Sequence, residues 1–138
     1  MEKWLIVLLL VDAGLFVLSW MVQLIVYPGF LAYPPSDLII WHKKYTPRIT
    51  LIVAPLMLVQ LFLSMWLAVN SPGLLSISEL ILVLGTWITT FLFFVPIHRL
   101  IDQEQAERRD LKRLVSLNWM RTLGWSIILI LDLLQYLN

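Results

Sequence analysis

Four long runs of apolar residues dominate this chain and decide what it can fold into. They cover approximately residues 4–27, 47–69, 75–97 and 117–137. An α-helix rises about 1.5 Å per residue, so about 20 residues cross the roughly 30 Å hydrocarbon core of a bilayer. We therefore predict a single all-α domain over residues 1–138, an antiparallel four-helix transmembrane bundle whose fourth helix begins near residue 108.

The composition also requires a lipid environment. Of the 138 residues, 60% are hydrophobic and only 14% are charged, so a soluble domain of this size could not bury its apolar surface. The chain contains no cysteine, which excludes disulfides, thiolate metal sites and iron–sulfur clusters. The net charge is +1 and no basic block is present, so nucleic acid is excluded as a partner.

The basic residues are distributed unevenly along the chain. Nine of the ten Lys and Arg residues lie in or beside the connections 28–46 and 98–116, whereas the other side has only Lys3. Cytoplasmic loops of membrane proteins are enriched in Lys and Arg. We therefore predict that these two connections are cytoplasmic and that both termini are periplasmic, with a bacterial inner membrane as the default location.

Polar residues that are unusual in membrane helices concentrate at the cytoplasmic ends of the four runs. These are Gln23, Tyr27, His42, Tyr45, Arg48, His98, Asn118 and Arg121. Alternating crossings bring these ends to one face, so we predict a cytoplasm-facing polar pocket. Three deeper tryptophans share helical stripes with these residues and could line a pocket for a flat aromatic ligand: Trp20, Trp87 and Trp125.

The two histidines, His42 and His98, are the most reactive candidates. Histidine titrates near neutral pH, so either residue could act as a general base, and the pair could ligate a metal or a haem. Two histidines alone do not complete a non-haem metal site, and each could instead anchor its helix at the headgroup level. Asp102 and Glu104 are close to His98 in sequence but are expected to face solvent.

Three further residues are candidates to stabilise developing negative charge, namely Asn118, Arg121 and Arg48. Arg121 could alternatively extend towards the headgroups, as arginines near helix ends often do. The remaining polar residues of the pocket would orient the ligand: Gln23, Tyr27 and Tyr45.

Two acidic residues lie within the apolar runs, Asp12 in the first and Asp132 in the fourth. Ionisable groups inside a membrane are expensive and are functional candidates by default. The two could face each other across the first and fourth helices, where a shared proton would neutralise them. A structural pair and a proton path are both open.

Several motifs resemble known membrane proteins. They are Val22-Gln23-Leu24-Ile25-Val26-Tyr27-Pro28, Trp41-His42-x-x-Tyr45 leading to Ala54-Pro55-Leu56-Met57, Phe94-Val95-Pro96-Ile97-His98, and Asn118-Trp119-x-Arg121-Thr122. Together they resemble a set of small four-helix bacterial membrane proteins of unknown function. The last two are also similar to motifs of the anthrone-oxygenase-like membrane family.

This resemblance implies an oxidoreductase-like activity, since some fungal members oxygenate an aromatic anthrone to an anthraquinone without a conventional cofactor. Asn118 and Arg121 would then hold the carbonyl or enolate oxygen of the substrate, and a histidine would remove a proton. This chain departs from the pattern at His98, where the broader family more often has a polar amide.

Three functions remain open from the sequence. The first is an enzyme with oxygenase-like or proton-transfer chemistry on a hydrophobic, aromatic molecule taken from the membrane. The second is a haem- or quinone-binding protein, and the third is a non-catalytic subunit of a larger membrane complex. The cofactor is accordingly haem, a metal or none. The expected partners are membrane lipid and a hydrophobic small molecule, with a homodimer also open.

Overall fold

In the computed structural model, which describes residues 2–137, the chain is all-α and 91% helical, with no strand in that range. The helices are α1 (Glu2–Met21), α2 (Tyr27–Phe30), α3 (Pro35–Asn70), α4 (Leu74–Thr89), α5 (Val95–Asp102) and α6 (Arg108–Leu137). Turns of π-helix join α1 to α2 at Val22–Val26 and α4 to α5 at Thr90–Phe94. The result is four continuous helical segments, which we call spans 1 to 4: Lys3–Phe30, Pro35–Asn70, Leu74–Asp102 and Arg108–Leu137.

All four spans are long and apolar enough to cross a membrane. Spans 1 and 3 each pack against both span 2 and span 4. The central core takes buried side chains from every span: Leu15, Met57, Val83, Trp125 and Ile128. Large apolar side chains on the outside stay exposed, among them Leu51 at 77% and Val69 at 78%. This outward apolar surface is what lipid-facing helices present.

The connections at the histidine end are shorter than the sequence predicted. Span 2 begins at Pro35, so most of the predicted loop 28–46 is helical, and span 3 continues to Asp102. Pro47 was predicted to start a helix but lies inside one. Hydroxyl groups support the backbone around it, because Thr46 Oγ donates to the carbonyl oxygen of His42 and Thr50 Oγ donates to that of Thr46.

Each π turn ends two residues before a proline. The backbone N–H of Tyr27, which precedes Pro28, donates to the carbonyl oxygen of Val22. The N–H of Val95, which precedes Pro96, donates to that of Thr90. A proline inside an α-helix has no N–H and crowds the carbonyl group four residues before it. The wider π turn accommodates both effects without breaking the helix, and such turns often occur at functional sites.

Candidate functional site

A hydrogen-bonded chain of four side chains lies at the end of the bundle that the sequence singled out. His42 Nδ1 is 2.7 Å from Asp102 Oδ1, and His42 Nε2 is 2.7 Å from His98 Nδ1. His98 Nε2 is 3.0 Å from the hydroxyl oxygen of Tyr27. Three spans contribute, and their side chains form one continuous row from Asp102 to Tyr27.

The chemistry of the groups gives this row a direction. An ionised carboxylate only accepts hydrogen bonds, so His42 Nδ1–H donates to Asp102. In neutral His42 the other ring nitrogen is an acceptor, and His98 Nδ1–H therefore donates to it. His98 Nε2 is then an acceptor in turn and receives the hydroxyl proton of Tyr27. Every link is satisfied with both imidazoles neutral.

The two ends of the row lie in different surroundings. His42 is completely buried, and Phe30 packs against its ring with centroids 5.6 Å apart. Tyr27 is 3% exposed, whereas the Asp102 side chain is 41% exposed. The row therefore connects a buried hydroxyl group to the protein surface.

A cavity of about 470 Å³ lies along this row, and Tyr27, His98 and Asp102 all line it. Its walls are mainly apolar and include Val22, Val53, Met57, Trp87, Phe94 and Trp125. Its charged, amide, imidazole and phenol side chains are those of Tyr27, Tyr45, His98, Arg99, Asp102, Asn118 and Arg121, and the hydroxyl groups of Ser19, Thr46, Thr50 and Thr90 also line it. A volume of this size and an apolar wall with a few convergent polar groups are typical of small-molecule sites.

Two arginines line this cavity, the exposed Arg99 and Arg121, and Arg121 is the one enclosed by aromatic rings. Its Cζ atom lies 4.4 Å from the ring centre of Phe94 and 4.8 Å from that of Trp125, so the guanidinium is held between two aromatic faces. The Arg121 Nε atom is buried and has no hydrogen-bond partner. The guanidinium also lies beside the Tyr27 side chain, at the inner end of the hydrogen-bonded row. It is thus placed to attract an anionic oxygen in the cavity.

The cavity reaches the outer surface between spans 2 and 3. Thr50 on span 2 and Phe91 and Val95 on span 3 line it, and all three are exposed. With lipid around the spans, this gap would give a hydrophobic molecule lateral entry from the membrane.

Asn118 and Gln23 are bonded mainly to each other and to the backbone. Asn118 Nδ2 donates to Gln23 Oε1 at 2.9 Å and to Thr122 Oγ at 3.3 Å. Gln23 Nε2 donates to the carbonyl oxygen of Val115 at 3.2 Å. Both amides are almost fully buried, and they tie span 1 to span 4. Asn118 borders the cavity, but its amide N–H groups are already occupied.

The remaining candidates are divided between the cavity and the surface. Trp87, Trp125 and Tyr45 line the cavity. Trp20 does not; its Nε1 donates to Ser126 Oγ at 3.1 Å, away from the lining. Arg48 is exposed and is not part of the lining, because it lies on the outer side of span 2.

The prediction that Asp102 faces solvent describes only part of its environment, since its side chain is 41% exposed but its Oδ1 also lies 2.7 Å from His42 Nδ1. Span 3 was expected to end at residue 97, but it continues for one more turn and carries Asp102 to His42. The spacing of four residues between His98 and Asp102 was the available signal, because residues four apart share a helix face. Glu104 does face solvent, where its Oε1 lies 3.9 Å from Lys43 Nζ.

The histidine pair does not fit a haem in this arrangement. The rings of His42 and His98 are stacked at 25° with centroids 5.0 Å apart, and all four ring nitrogens have protein partners. Axial ligation by both residues would require a macrocycle between rings that are in direct contact. The two rings are instead adjacent links of the hydrogen-bonded row from Asp102 to Tyr27.

A second polar cluster lies in the opposite half of the bundle. Asp12, Glu79 and Asp132 are buried and converge, with one carboxylate oxygen from each lying within 4.8 Å of the others. The structure thus adds Glu79 to the pair expected from the sequence. Gln60 and Ser64 on span 2 donate hydrogen bonds to Asp12 and Glu79, respectively.

Comparisons of the chain with protein-family models, with curated proteins and with solved structures found no match. The resemblance carried by the sequence motifs stays a prediction.

Proposed function

We propose that this protein is an antiparallel four-helix transmembrane bundle that binds a hydrophobic aromatic molecule and transfers a proton between it and water. The observation that carries the proposal is the unbroken row Asp102–His42–His98–Tyr27, which leads from the surface to a largely apolar cavity. The substrate class is an aromatic compound with an acidic hydroxyl group or an enolisable carbonyl group.

The proposed membrane orientation has two supports. Side-chain contacts pair the second half of span 1 with the first half of span 4, as Gln23 with Asn118, and the first half of span 1 with the second half of span 2, as Asp12 with Gln60. Such pairs support an arrangement in which neighbouring spans run in opposite directions. The bias of nine basic residues to one then favours a cytoplasmic site and periplasmic termini, in a bacterial inner membrane.

The proton transfer balances without any charged intermediate inside the row. A substrate proton passes to the oxygen of Tyr27 as the hydroxyl proton of Tyr27 passes to His98 Nε2. The Nδ1 proton of His98 moves to His42 Nε2, and the Nδ1 proton of His42 moves to Asp102. One proton enters and one reaches the exposed carboxyl group, which exchanges with water, and each imidazole changes tautomer but stays neutral.

Arg121 would stabilise the anion that forms when the substrate loses its proton. Loss of a proton leaves an enolate or phenolate, and a guanidinium held in an apolar cavity interacts with such an anion far more strongly than it would in water. The two aromatic rings that hold the guanidinium would fix its position before the substrate arrives. An anthrone, the substrate class that the motif resemblance suggests, belongs to this class because its methylene protons are lost to give an enolate.

The test uses anthrone as the probe with the full chain in lipid nanodiscs. Under nitrogen and in D₂O buffer, we expect the protein to accelerate deuterium incorporation at the anthrone methylene group by about 10² or more over empty nanodiscs, the range of general acid–base catalysis. Mass spectrometry measures the incorporation. Equal rates with and without protein would rule out this substrate class for the site.

A quinone-binding function is the second candidate. Arg121 borders the cavity and could donate a hydrogen bond to a quinone carbonyl oxygen. Quenching of Trp125 and Trp87 fluorescence by a neutral quinone, together with no deuterium exchange into anthrone, would favour this candidate.

A further inference from the structure

The opening of the cavity between spans 2 and 3 is closed at both ends by contacts between the two spans. Towards the outer half of the bundle, Ser64 Oγ donates to Glu79 Oε1 at 2.6 Å. At the histidine end, His42 Nε2 lies 2.7 Å from His98 Nδ1. Between these contacts both spans line the cavity, and we call this opening the lateral window. Its residues are Thr50, Val53 and Ala54 on span 2 and Thr90, Phe91 and Val95 on span 3.

The lateral window lies within the apolar part of the spans. Thr50 comes eight residues after His42 and Phe91 comes seven residues before His98, so the window is about 10–12 Å from the histidines along the helices. The side chains that flank it on the outside are apolar and exposed, as Leu51 is at 77% and Leu92 at 63%. In a membrane, hydrocarbon chains rather than water or headgroups would therefore border the window.

The side chains of the lateral window offer a ligand no free hydrogen-bond donor. Four of its six residues have apolar side chains. The other two are threonines whose hydroxyl groups donate within their own helices, Thr50 Oγ to the carbonyl oxygen of Thr46 at 2.7 Å and Thr90 Oγ to that of Thr86 at 2.7 Å. A hydroxyl group has one proton to donate, and here it is already used. The window is therefore suited to the hydrocarbon part of a ligand.

The polar groups of the same cavity lie towards the histidine end. Arg99 and Asp102 come eight and eleven residues after Phe91, and Arg121 is held against the ring of Phe94, three residues after Phe91. The buried Nε atom of Arg121 has no hydrogen-bond partner. One cavity thus combines a cationic group that can receive an oxygen anion with an apolar exit into lipid. A ligand that fills both parts has a polar head and a hydrocarbon tail.

From this geometry we infer that the ligand is itself a membrane lipid, with an aromatic head that bears the acidic hydroxyl or enolisable carbonyl group and an alkyl or isoprenoid tail that passes between Thr50 and Phe91 into the bilayer. The inference rests on the proposed function, because it places the reacting oxygen of the head beside Arg121. Such a tail keeps the compound in the hydrocarbon, so the head reaches the cavity from the side. The lateral window admits the head while the tail stays in lipid.

The test compares two forms of para-nitrophenol that carry either an ethyl group or a dodecyl chain at the same ring carbon. The full chain in lipid nanodiscs should bind both with affinities within about threefold of each other, relative to their concentrations in the lipid, because the tail is in hydrocarbon before and after binding. The change in visible absorption of the nitrophenol measures binding, and an added tryptophan does not disturb it.

Thr50→Trp is the variant that separates the two compounds. Its indole ring would fill the lateral window, so binding of the dodecyl compound should weaken by about tenfold or more, whereas binding of the ethyl compound should change by less than about twofold. The control is Leu51→Trp, at the next residue of span 2, which is 77% exposed and does not line the cavity. It should leave the binding of both compounds unchanged.

The outcomes distinguish this inference from the proposed function. If Thr50→Trp weakens binding of both compounds equally, or if the unaltered protein binds only the ethyl compound, the tail does not use the window and the inference is wrong, although the proposed function stands. If the unaltered protein binds neither compound, the proposed function and the inference are both wrong.

A second measurement uses the unaltered protein and does not depend on the folding of Thr50→Trp. A photoreactive diazirine in the middle of the dodecyl chain should attach to Phe91 or Val95, which mass spectrometry locates, and an excess of the ethyl compound should suppress this attachment. Attachment to the buried Met57 or Trp125 would mean that the chain folds inside the cavity. That result, or attachment that the ethyl compound does not suppress, would overturn the inference.

Discussion

His42 Nε2 and His98 Nδ1 lie 2.7 Å apart, with the two imidazole rings stacked at 25°. Direct contact between two imidazoles forces each to use its remaining nitrogen elsewhere. His42 uses it for Asp102 and His98 uses it for Tyr27. The pair is consequently the middle of a longer path, and each of its neighbours can be altered without touching the histidines.

Replacing Asp102 by asparagine should uncouple the path from water. The amide of the new side chain could present either an N–H or an oxygen to His42 Nδ1, but it cannot take up a proton. We expect the exchange of deuterium into anthrone to fall by about 10²-fold. Because Asp102 is 41% exposed, folding should be retained, which detergent gel filtration checks.

The matched control for this change is Glu104→Gln. Glu104 is a neighbouring exposed acid that contacts Lys43 rather than a histidine. An equal fall in exchange for both variants would indicate a general effect of surface charge.

Tyr27→Phe should stop proton transfer at the cavity and leave the histidine pair in place. The substitution removes only the hydroxyl group that lies 3.0 Å from His98 Nε2. Exchange should drop to the rate of empty nanodiscs, whereas aromatic ligands should still quench tryptophan fluorescence. Tyr136→Phe, an exposed tyrosine near the end of span 4, serves as the control and should behave as the unaltered protein. Full activity of the Tyr27 variant would contradict the proposed path.

Arg121→Met should separate binding of anions from binding of neutral aromatics. The variant keeps a long side chain between Phe94 and Trp125 but removes the charge. A charge-assisted hydrogen bond contributes about 1.5–3 kcal/mol, so affinity for a hydrophobic nitrophenolate should fall by about tenfold or more. Affinity for the methyl ether of the same phenol should not change. Fluorescence titration measures both, and a parallel loss for the two ligands would argue against the charge.

Asn118→Ala should lower stability more than it lowers activity. The change leaves Gln23 Oε1 buried without its 2.9 Å donor, which costs about 1–3 kcal/mol. Reversible unfolding in mixed detergent micelles, followed by circular dichroism, gives the free energy of unfolding. The control Asn70→Ala removes an exposed amide whose Nδ2 donates to the carbonyl oxygen of Trp66, and its effect should stay within about 0.5 kcal/mol.

Pro96→Ala should relax the π turn of span 3 and misplace His98. Alanine restores the backbone N–H at position 96, which can then bond to the carbonyl oxygen of residue 92 as in an α-helix. His98 should rotate away from His42 and Tyr27, and exchange should fall without loss of stability. Pro55→Ala, at an exposed proline of span 2 outside the cavity lining, should not alter exchange.

The four spans could be predicted from the sequence because apolar runs of this length have few alternatives in water or lipid. The same runs predicted that His42 and His98 share one end of the protein, since alternating helices set that level. The contact between their rings could not be predicted. It depends on how each helix is rotated about its axis. The π turns at Val22–Val26 and Thr90–Phe94 change that rotation, and a regular α-helical spacing does not predict them.

Two acids illustrate the same limit. Asp102 was expected in solvent because it belongs to the charged segment after the third apolar run, and its contact with His42 depends on how span 3 packs against span 2. Glu79 is a single carboxyl group in an apolar run. Its place in a cluster with Asp12 and Asp132 is seen only once the helices are packed together. Arg48 is a basic residue at the same end of the bundle as the cavity, but it lies on the outer face of span 2.

The π turns explain how the same four spans can contribute side chains both to the site at the histidine end and to the acid cluster in the opposite half. In span 2, His42 and Gln60 are 18 residues apart, and in span 4, Arg121 and Asp132 are 11 residues apart. At 3.6 residues per turn, these separations equal five turns and about three turns, respectively. Each of these helices therefore presents both of its groups on the same side with ordinary winding.

In spans 1 and 3 the two polar groups are not separated by a whole number of helical turns. Asp12 and Tyr27 are 15 residues apart, and Glu79 and His98 are 19 apart, so uniform α-helices would leave the second group about 60° and about 100° out of phase. A π turn lies between the two members of each pair and contains one extra residue. That residue changes the angle at which the second side chain leaves the helix. Spans 1 and 3 are the two that contain such a turn, and through it both of their ends can face the interior at once.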